Sequence, residues 1–425
     1  MSVWHTGRMP MFLNQMHVPS LIEKKRDGGD LSADEISYII ANFTRGEIPD
    51  YQVSALAMAI FFRGMTDAET WHLTKAMLES GHRFTYPPDS PPKVDKHSTG
   101  AIGGKTSLVL APLLACDELW VPMISGRGLD ITGGTLDKLE CIPGFDVNLD
   151  RARALKQLKR IGVFMIGQTA EICPADKKLY ALRDVTGTVP SRALIVASIM
   201  SKKLAESLDR LVLNVRFGSG AFMKERREAE LLGDAMLRVG EAMSLQISYL
   251  LTPMNEPLGR TVGNALELAE AIDVLRGAGP PDVVNLVLDL AIRVANAPRA
   301  QLQKWLQDGT AWQKFVATVE AQDGDASALE RMTQVHRAPV IREIKAERSG
   351  RIAKMDAQRI GRASLLLGGG RQTANDAIDF AVGISDLKKI GEAVESNEVL
   401  MRVHARAEKS CERALLMLKE AVAIE

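Results

Sequence analysis

The chain contains 425 residues, of which 46% are hydrophobic and 25% charged, an ordinary composition for a soluble globular protein. This length exceeds what one ordinary hydrophobic core holds, so two or three domains are expected. Lys and Arg total 53, as do Asp and Glu, and the zero net charge argues against a large nucleic-acid surface and favours a local basic site for a small anion.

The cysteine content and the apolar runs predict a cytoplasmic location. The four cysteines are far apart and form no Cys-x-x-Cys pair, which argues against disulfides and structural zinc: Cys116, Cys141, Cys173 and Cys411. Residues 1–17 contain no signal-peptide core, and the longest apolar runs, residues 54–62 and 193–200, are too short to span a bilayer. We therefore expect a reducing compartment and no membrane partner.

The first segment, from about residue 17 to residue 80, is predicted to be helical. Ser32-x-x-Glu35 and Thr66-x-x-Glu69 match the capping-box pattern, and each precedes an amphipathic stretch. Four prolines between residues 87 and 92 then interrupt the chain and indicate a linker. We predict a helical domain over residues 1–80.

Residues 81–174 and 208–341 are predicted to form an α/β domain. Short apolar segments lead into loops rich in Gly, Ser and Thr, with helical patterns between them. These segments are residues 94–95, 119–124, 163–166 and 211–215. In α/β sheets, ligands bind beyond the carboxyl ends of the strands, so the loops are the predicted ligand site.

Two stretches depart from this alternation. Residues 175–207 are helical and are predicted to return to the helical domain. Residues 342–425 contain short β-like segments around a helix and the glycine turn at residues 368–370, which predicts a C-terminal α+β domain.

The first two loops predict a site for an anion the size of phosphate. Residues 96–100 supply a lysine, an imidazole, two hydroxyl groups and a glycine, and Ser107 follows in a predicted helix. Residues 125–128 and 132–135 add hydroxyl groups and glycines. Glycine lets backbone N–H groups point at an anion, and helices that begin after the loops add their N-terminal dipoles. One such loop alone is usually a turn, but two after successive strands favour anion binding.

The same segments resemble the signatures of the thymidine and pyrimidine nucleoside phosphorylases. Residues 94–100 read Val-Asp-Lys-His-Ser-Thr-Gly, and residues 125–140 contain Ser-Gly-Arg-Gly-Leu followed by Thr-Gly-Gly-Thr-Leu-Asp-Lys-Leu-Glu. Further matches lie at residues 174–177, 180–184, 197–199, 202–203, 218–222, 263–267 and 367–371. The resemblance covers about residues 16–405.

The resemblance implies a fold and a reaction. Each subunit of a homodimer would have a small all-helical domain, a large α/β domain with a central mixed sheet, and a C-terminal α+β portion. The active site would lie in the cleft between the first two. Residues 382–383 and 391–394 resemble a biotinyl- or lipoyl-carrier fold, but no carrier lysine is present and no lipoylation is expected. The implied reaction splits thymidine or another pyrimidine nucleoside with inorganic phosphate, without a metal or cofactor.

The resemblance also assigns site residues by position. The phosphate ligands would be Lys96, Ser98, Ser107, Ser125 and Thr135. The base-binding residues would be Tyr180, Arg183, Ser198, Lys202 and Phe222, with His97 also lining the base pocket. His97, Arg183 and Lys202 would be catalytic.

These residue types suit the reaction. Phosphate beneath C1′ would attack an oxocarbenium-like sugar with inversion, while the pyrimidine leaves with negative charge. Arg183 and Lys202 are suited to stabilise that charge, at roughly 3–4 kcal/mol for each donor. His97, with an ordinary pKa near ~6.5, is suited to protonate a base oxygen. Ser198 and Lys202 share a helix face, and the two ligand groups lie in separate domains, so we expect domain closure around the substrates.

Simpler structural roles are also open for these residues. Lys202 beside Lys203 is typical of a solvated helix face, and Arg183 beside Asp184 of a structural ion pair. Ser198 in an apolar run is often bonded back to its own helix. The resemblance favours the functional roles.

Three rival functions are less favoured. Anthranilate phosphoribosyltransferase shares the fold but needs magnesium and a diphosphate loop, and AMP phosphorylase has an additional N-terminal domain, for which the stretch before Pro19 is too short. A binding protein without activity would not require all eight polar residues. A nucleotide-binding P-loop is excluded at residues 104–106, because Thr99 occupies the position of its first glycine. Preference for thymidine or uridine stays open.

One departure from the family pattern predicts a change in cation use. Many bacterial members look like Gly-Asp-x-Thr where this chain reads Gly103-Gly104-Lys105-Thr106, and they bind potassium there with a glutamate that matches Glu270. The Lys105 ammonium carries the same charge as potassium. We therefore predict that Lys105 pairs with Glu270 and replaces the ion; the alternative is that Lys105 is solvated.

Overall fold

The computed structural model of the chain describes residues 16–100, 102–128, 133–169, 171–371 and 376–425. Thr132 of the second predicted anion loop, and residues 1–15 of the predicted helical domain, lie outside the described residues. Within those ranges, no helix is long and apolar enough to cross a membrane.

The first part is a bundle of four helices, α1 (Val18–Arg26), α2 (Ala33–Arg45), α3 (Asp50–Arg63) and α4 (Asp67–Glu79). Both predicted capping boxes are confirmed, because the hydroxyl groups of Ser32 and Thr66 each accept the backbone N–H of the glutamate three residues later, at 3.2 Å. Glu69 is also buried and accepts the Lys25 ammonium at 2.8 Å, which ties α4 to α1.

The middle of the chain alternates strands and helices. In chain order, its elements are β1 (Val94–Ser98), α5 (Thr106–Leu114), β2 (Val121–Ile124), α6 (Thr135–Leu139), α7 (Arg151–Ile161), β3 (Val163–Ile166), α8 (Pro174–Thr186), α9 (Arg192–Ala205), β4 (Arg210–Phe217), α10 (Arg226–Glu241), β5 (Gln246–Pro253), α11 (Asn264–Leu275), α12 (Pro281–Ala291), α13 (Arg299–Gln307) and α14 (Thr310–Ala321). The first four strands coincide with the four predicted apolar segments.

Pairing among β1–β5 is parallel. β4 lies between β1 and β5, β2 pairs with β3, and a bridge between Lys93 and Trp120 links the two groups. All residues of β2 and β3 are buried, as is typical of strands covered on both faces. The loops after β1–β4 therefore follow carboxyl ends that point in one direction, where the sequence predicted the ligand site.

Helices α8 and α9 pack against the N-terminal bundle and interrupt the α/β alternation. Ala175 and Leu179 of α8, with Leu194 and Ala197 of α9, belong to the hydrophobic core of the bundle. The other side of α9 belongs to the core beneath β4, and every residue from Ala193 to Ala205 is buried. Helix α9 therefore connects the bundle directly to the sheet.

The C-terminal part is α+β with antiparallel pairing. Its elements are a 3-10 helix (Ala326–Arg331), α15 (Met332–Val335), β6 (Val340–Lys345), β7 (Gly350–Met355), α16 (Ala357–Leu367), β8 (Gly383–Ser385), β9 (Ala393–Val394), β10 (Val399–Ala405), α17 (Glu408–Lys419) and β11 (Val422–Ile424). The strand orders are β6-β10-β8 and β11-β7-β9. This part shares a core with α5 and α11, so the domain boundary at residue 342 stays a prediction. The combination of a helical bundle, an α/β part and an α+β part confirms the predicted fold class.

Candidate active site

Lys96 is a buried cation near the carboxyl end of β1. Its side chain is 4% exposed, and Nζ donates to Oγ of Ser107, in the first turn of α5, at 3.1 Å. Ser98 lies two residues further on the same side of the strand. Its buried Oγ has no hydrogen-bond partner in the described part of the chain. These three predicted phosphate ligands therefore lie at one end of the sheet.

Ser125 and Thr135 flank the second predicted loop. Ser125 directly follows β2 and is buried, and its N–H donates to the carbonyl of Ile166 at 2.8 Å. Thr135 is half-buried and is the first residue of α6. Neither side chain forms a hydrogen bond to Lys96 within the described ranges, so Lys96 and Ser107 are the two predicted phosphate ligands that are directly bonded there.

Asp137, which the sequence analysis left without a role, holds the second loop. Its Oδ2 accepts the backbone N–H groups of Gly128 at 2.5 Å and Gly134 at 3.2 Å, and Oδ1 accepts Nη1 of Arg371 at 2.8 Å. The two glycines stand on either side of residues 129–132, so one buried carboxylate closes the loop. The sequence signal for this role of Asp137 is its place as an acidic residue at the third position of a helix.

The pKa of Lys96 is lowered to about 7. Burial is the largest cause, and the positive charge of Arg216 is the next. A buried ammonium that is repelled by a second cation is stabilised when an anion enters, because the anion replaces the missing countercharge. The electrostatics of this group therefore suit a phosphate dianion.

The pKa of His97 lies well below its ordinary value. Burial is the main cause, followed by the positive charges of Lys203, Lys202 and Lys96. The sequence analysis assumed an ordinary pKa for His97, and the structure does not support that assumption, because three cations disfavour the imidazolium. A neutral imidazole still has an N–H group that can donate a hydrogen bond to a base oxygen. Lys96 of the phosphate group and Lys202 of the base group thus both act on the charge of His97.

Arg183 is buried at the junction of α8 and α9. It is 1% exposed, its Nη1 donates to the carbonyl of Leu194 at 3.0 Å, and its Nη2 donates to the carbonyl of Val189 at 2.7 Å. Its Nε has no partner in the described ranges, and burial lowers its pKa. The guanidinium carbon lies 5.5 Å from the ring centre of Tyr180. Two backbone carbonyls hold this buried cation in place.

Lys202 lies beside Arg183, and the solvated-face interpretation does not fit it. It is 7% exposed, and its Nζ donates to Oδ2 of Asp176 at 2.5 Å and to Oγ of Ser198 at 2.8 Å. The ammonium is also 5.9 Å from the ring centre of Tyr180. Lys202, Ser198 and Tyr180 therefore form one group, as the resemblance predicted by position, while Asp176 is an additional member that the sequence analysis did not assign.

A fully buried charge cluster joins this group to the phosphate segment. Nζ of Lys203 donates to Asp95 at 2.5 Å, to Glu206 at 2.6 Å and to the carbonyl of Ile124 at 2.8 Å. Two carboxylates share one ammonium, and burial raises the pKa of Glu206 well above its usual range. Asp95 precedes Lys96, and Ile124 precedes Ser125. Helix α9 is therefore fixed to both phosphate-loop strands.

Phe222 follows β4 and is half-buried against the core that contains Ile199 of α9. The predicted site residues therefore lie near the carboxyl end of the sheet, in the first turns of α5 and α6, and on α8 and α9, while Phe222 packs against the core that includes part of α9.

Lys105 is fully buried and surrounded by oxygen atoms. Its Nζ donates to the carbonyl of Leu258 at 3.0 Å, to the carbonyl and hydroxyl oxygens of Thr261 at 3.1 Å each, and to Oε2 of Glu270. Oε1 of Glu270 accepts the backbone N–H of Arg260 at 2.8 Å. This arrangement ties the start of α5 to α11. Elsewhere in the described ranges, no group of three or more His, Cys, Asp or Glu side chains could hold a metal ion.

Comparisons with known proteins agree with this architecture. Residues 19–81 match the helical bundle domain of a glycosyl transferase family, residues 90–318 match its a/b domain, and residues 351–425 match the pyrimidine nucleoside phosphorylase C-terminal domain. The chain is 47% identical over 399 residues to pyrimidine-nucleoside phosphorylases from Staphylococcus aureus strains USA300 and MSSA476, covering 92% of this chain and 92% of theirs. Anthranilate phosphoribosyltransferase from Thermus thermophilus shares the fold, with a TM-score of 0.54 and 17% identity over 71% of this chain and 98% of that one.

Proposed function

Because the chain belongs to the family of pyrimidine-nucleoside phosphorylases, we propose that it cleaves thymidine with inorganic phosphate to give thymine and 2-deoxyribose 1-phosphate. Uridine is the alternative substrate. The observation that carries the proposal is the buried His97, whose pKa is lowered by burial and then by the positive charges of Lys203, Lys202 and Lys96. A lysine from the phosphate group, Lys96, and a lysine from the base group, Lys202, thus act on the same imidazole.

In this mechanism, phosphate binds at Lys96, Ser98 and Ser107, with Ser125 and Thr135 from the neighbouring loop. Its oxygen attacks C1′ from the face opposite the base as the glycosidic bond breaks, so the product has inverted configuration. Because Lys96 is desolvated, its charge acts on the reacting dianion with little screening by water.

The pyrimidine departs as an anion stabilised by Arg183 and Lys202. Arg183 is already fixed by two carbonyls, which limits its reorganisation during the reaction. Lys202 gains a second negative partner beside Asp176, and Ser198 is positioned by its own bond to that ammonium. Neutral His97 donates a hydrogen bond to a base oxygen, and Tyr180 and Phe222 pack against the ring. Closure of the bundle on the sheet excludes water.

A substrate panel tests the proposal. Phosphorolysis should be measured side by side on thymidine, deoxyuridine, uridine and AMP, without added magnesium. We expect rapid release of thymine, and no release of adenine. Preference for uridine would correct the substrate but keep the reaction, whereas cleavage of AMP alone, or a requirement for magnesium and diphosphate, would replace the proposed function with one of its rivals.

Lys105 is proposed to replace the potassium ion that many bacterial members of the family bind at this position. Its ammonium occupies a buried cage of four oxygen atoms, a coordination that a monovalent cation would also accept. Activity should be equal in sodium and potassium buffers, because a second cation beside Glu270 would be repelled. Lys105→Thr should lower activity in sodium and recover it in potassium.

Lys105→Met is the matched control, because its side chain fills the same space without a charge or hydroxyl group. It should lose activity in both buffers. Strong potassium activation of the unsubstituted protein, or equal behaviour of the threonine variant in both buffers, would refute the replacement.

A homodimer is proposed as the assembled form, supported by an exposed apolar stripe on α3. Tyr51, Ala55, Met58 and Phe62 are spaced at helical intervals and are exposed, with Tyr51 at 73% and Phe62 at 76%. Phe62→Glu should shift the chain from dimer to monomer in sedimentation velocity, while substitution of the exposed Lys75 of α4 by glutamate should leave it unchanged. A monomeric unsubstituted chain would contradict the proposal.

A cytoplasmic location is also proposed, because the four cysteines are free.

A further inference from the structure

The carboxyl end of β4 presents polar side chains toward the phosphate segment. β4 pairs in parallel with β1, with Lys96 opposite Val212 and Ser98 opposite Asn214. Side chains at paired positions of neighbouring strands lie on the same face of a sheet, and alternate residues along a strand share that face. Asn214 and Arg216 therefore lie on the face of the sheet that carries Lys96 and Ser98.

Arg216 is a buried guanidinium that forms no salt bridge with the residues that the structure describes. It is 1% exposed, and neither Nε nor Nη1 has a hydrogen-bond partner within the described ranges. Arg183 provides a contrast in the same chain, since its Nη atoms donate to two backbone carbonyls. Burial alone accounts for lowering the pKa of Arg216 to about 9, with no acidic group opposing it. A purely structural arginine would be expected to have acceptors.

Asn214 adds a donor at the same place. Its Oδ1 accepts the hydroxyl of Thr252 at 2.8 Å, which leaves the amide nitrogen as the free end of the side chain. That Nδ2 is buried and lacks a partner among the described residues, as does Oγ of Ser98. Buried donors without acceptors cost free energy, and a bound acceptor removes that cost.

The local backbone keeps Arg216 in register with the phosphate segment. Its backbone N–H donates to the hydroxyl of Thr99 at 2.9 Å, and the N–H of Thr99 donates to the carbonyl of Asn214 at 3.1 Å. Thr99 directly follows Ser98 in the loop. These two hydrogen bonds couple the position of the loop after β1 to that of the end of β4.

We propose that Arg216 is the second fixed cation of the phosphate site, assisted by the amide of Asn214. This proposal rests on the proposed phosphorolysis for its ligand and adds two ligands from β4 to the five from β1, α5, β2 and α6. Two cations match a dianion, and their unpaired donors all lie on the sheet face where Lys96 and Ser98 lie. The mutual repulsion of Lys96 and Arg216 is offset when a dianion binds to both.

Phosphate binding to the nucleoside-free full-length protein tests the proposal. Isothermal titration with inorganic phosphate at pH 7 should give a dissociation constant about 10-fold or more higher for Arg216→Met, since a charged hydrogen bond of roughly 1.5 kcal/mol corresponds to that factor. Arg216→Lys should stay within about threefold, because it keeps the charge. Arg210→Met is the control, because Arg210 lies at the opposite end of β4 and donates to Asn296 at 2.9 Å.

Thermal unfolding separates a ligand from a structural residue. In phosphate-free buffer, Arg216→Met should melt at the same temperature as the unsubstituted protein or higher, because the removed charge had no partner. Phosphate should raise its melting temperature less than it raises that of the unsubstituted protein. If the methionine variant does not fold, Arg216→Gln, which keeps donors without the charge, gives the same comparison.

Unchanged phosphate affinity in both the methionine and glutamine variants overturns the proposal, as does a lower melting temperature without any loss of affinity. One result would distinguish failure of the proposed function from failure of the Arg216 proposal. If phosphate binding depends on Arg216 while no pyrimidine nucleoside is cleaved, the proposed reaction fails and the two-cation anion site stands.

Discussion

Substitution of Lys96 by alanine is expected to lower kcat/KM for phosphate by roughly 10²–10³-fold, the usual effect of removing one positioned donor from a reacting oxygen. Lys96 is buried, its ammonium contacts only the hydroxyl of Ser107 among the side chains of the described chain, and no carboxylate there forms a salt bridge with it. Its charge is therefore available to the anion. The nucleoside KM at saturating phosphate should change much less. Steady-state rates with both substrates varied give the two constants separately.

The pH dependence of anion binding gives a second readout of the same residue. The pKa of Lys96 is lowered to about 7 by burial, then by Arg216, with Lys203 and Lys138 adding to the effect and Asp95 opposing it. A bound anion favours the ammonium, so affinity is highest below pH 7 and falls as pH rises through that value, by up to about 10-fold per unit. Sulfate is the suitable probe, because it does not titrate in this range.

Lys96→Ala should have a flatter sulfate profile, and Lys75→Ala, at an exposed position of α4, should behave like the unsubstituted protein in both assays. Near-normal turnover of Lys96→Ala, or a sulfate profile that is unchanged by the substitution, would contradict the phosphate site.

Substitution of Lys202 by methionine is expected to lower kcat by roughly 10²–10³-fold, because its charge acts on the departing base. The same change removes the charged partner of the buried Asp176 carboxylate, which among the described residues keeps only the Gln168 amide, and should lower stability by about 3–5 kcal/mol. Turnover and stability are therefore confounded in the single variant. The double variant with Asp176→Asn removes both charges, and should recover most of the stability without recovering kcat.

Lys177→Met is the matched control for Lys202, because Lys177 is exposed on α8 next to Asp176. It should keep both stability and kcat. Recovery of kcat together with stability in the double variant would assign Lys202 a structural role and remove it from the reaction.

Local signals in the sequence are sufficient for most of the fold. Ser32 and Thr66 cap their helices through bonds to residues three positions away, and β2 and β3 are continuous apolar runs because both faces are buried. β5 is not predicted from the sequence. It is the edge strand of its sheet and is only half-buried, so its sequence lacks the continuous apolar run of a central strand.

The residues alone predict the anion loops, whereas the individual ligands and the base-binding residues are predictable only where the resemblance supplies positions. The contacts of Asp176 with Lys202, Asp95 with Lys203 and Asp137 with Arg371 join residues 26, 108 and 234 positions apart. No periodicity or spacing signals such pairs, because they depend on how buried elements meet. The lowered pKa of His97 has the same origin, since it results from burial and then from the charges of three lysines on two elements.

The most direct test of the account is the fate of labelled phosphate. With purified protein, thymidine and ³²P-labelled inorganic phosphate, without magnesium, we expect one labelled 2-deoxyribose 1-phosphate for each thymine released, and no thymine without phosphate. Release of base without phosphate, or of base without label in the sugar, would show hydrolysis instead of phosphorolysis and would contradict the central claim.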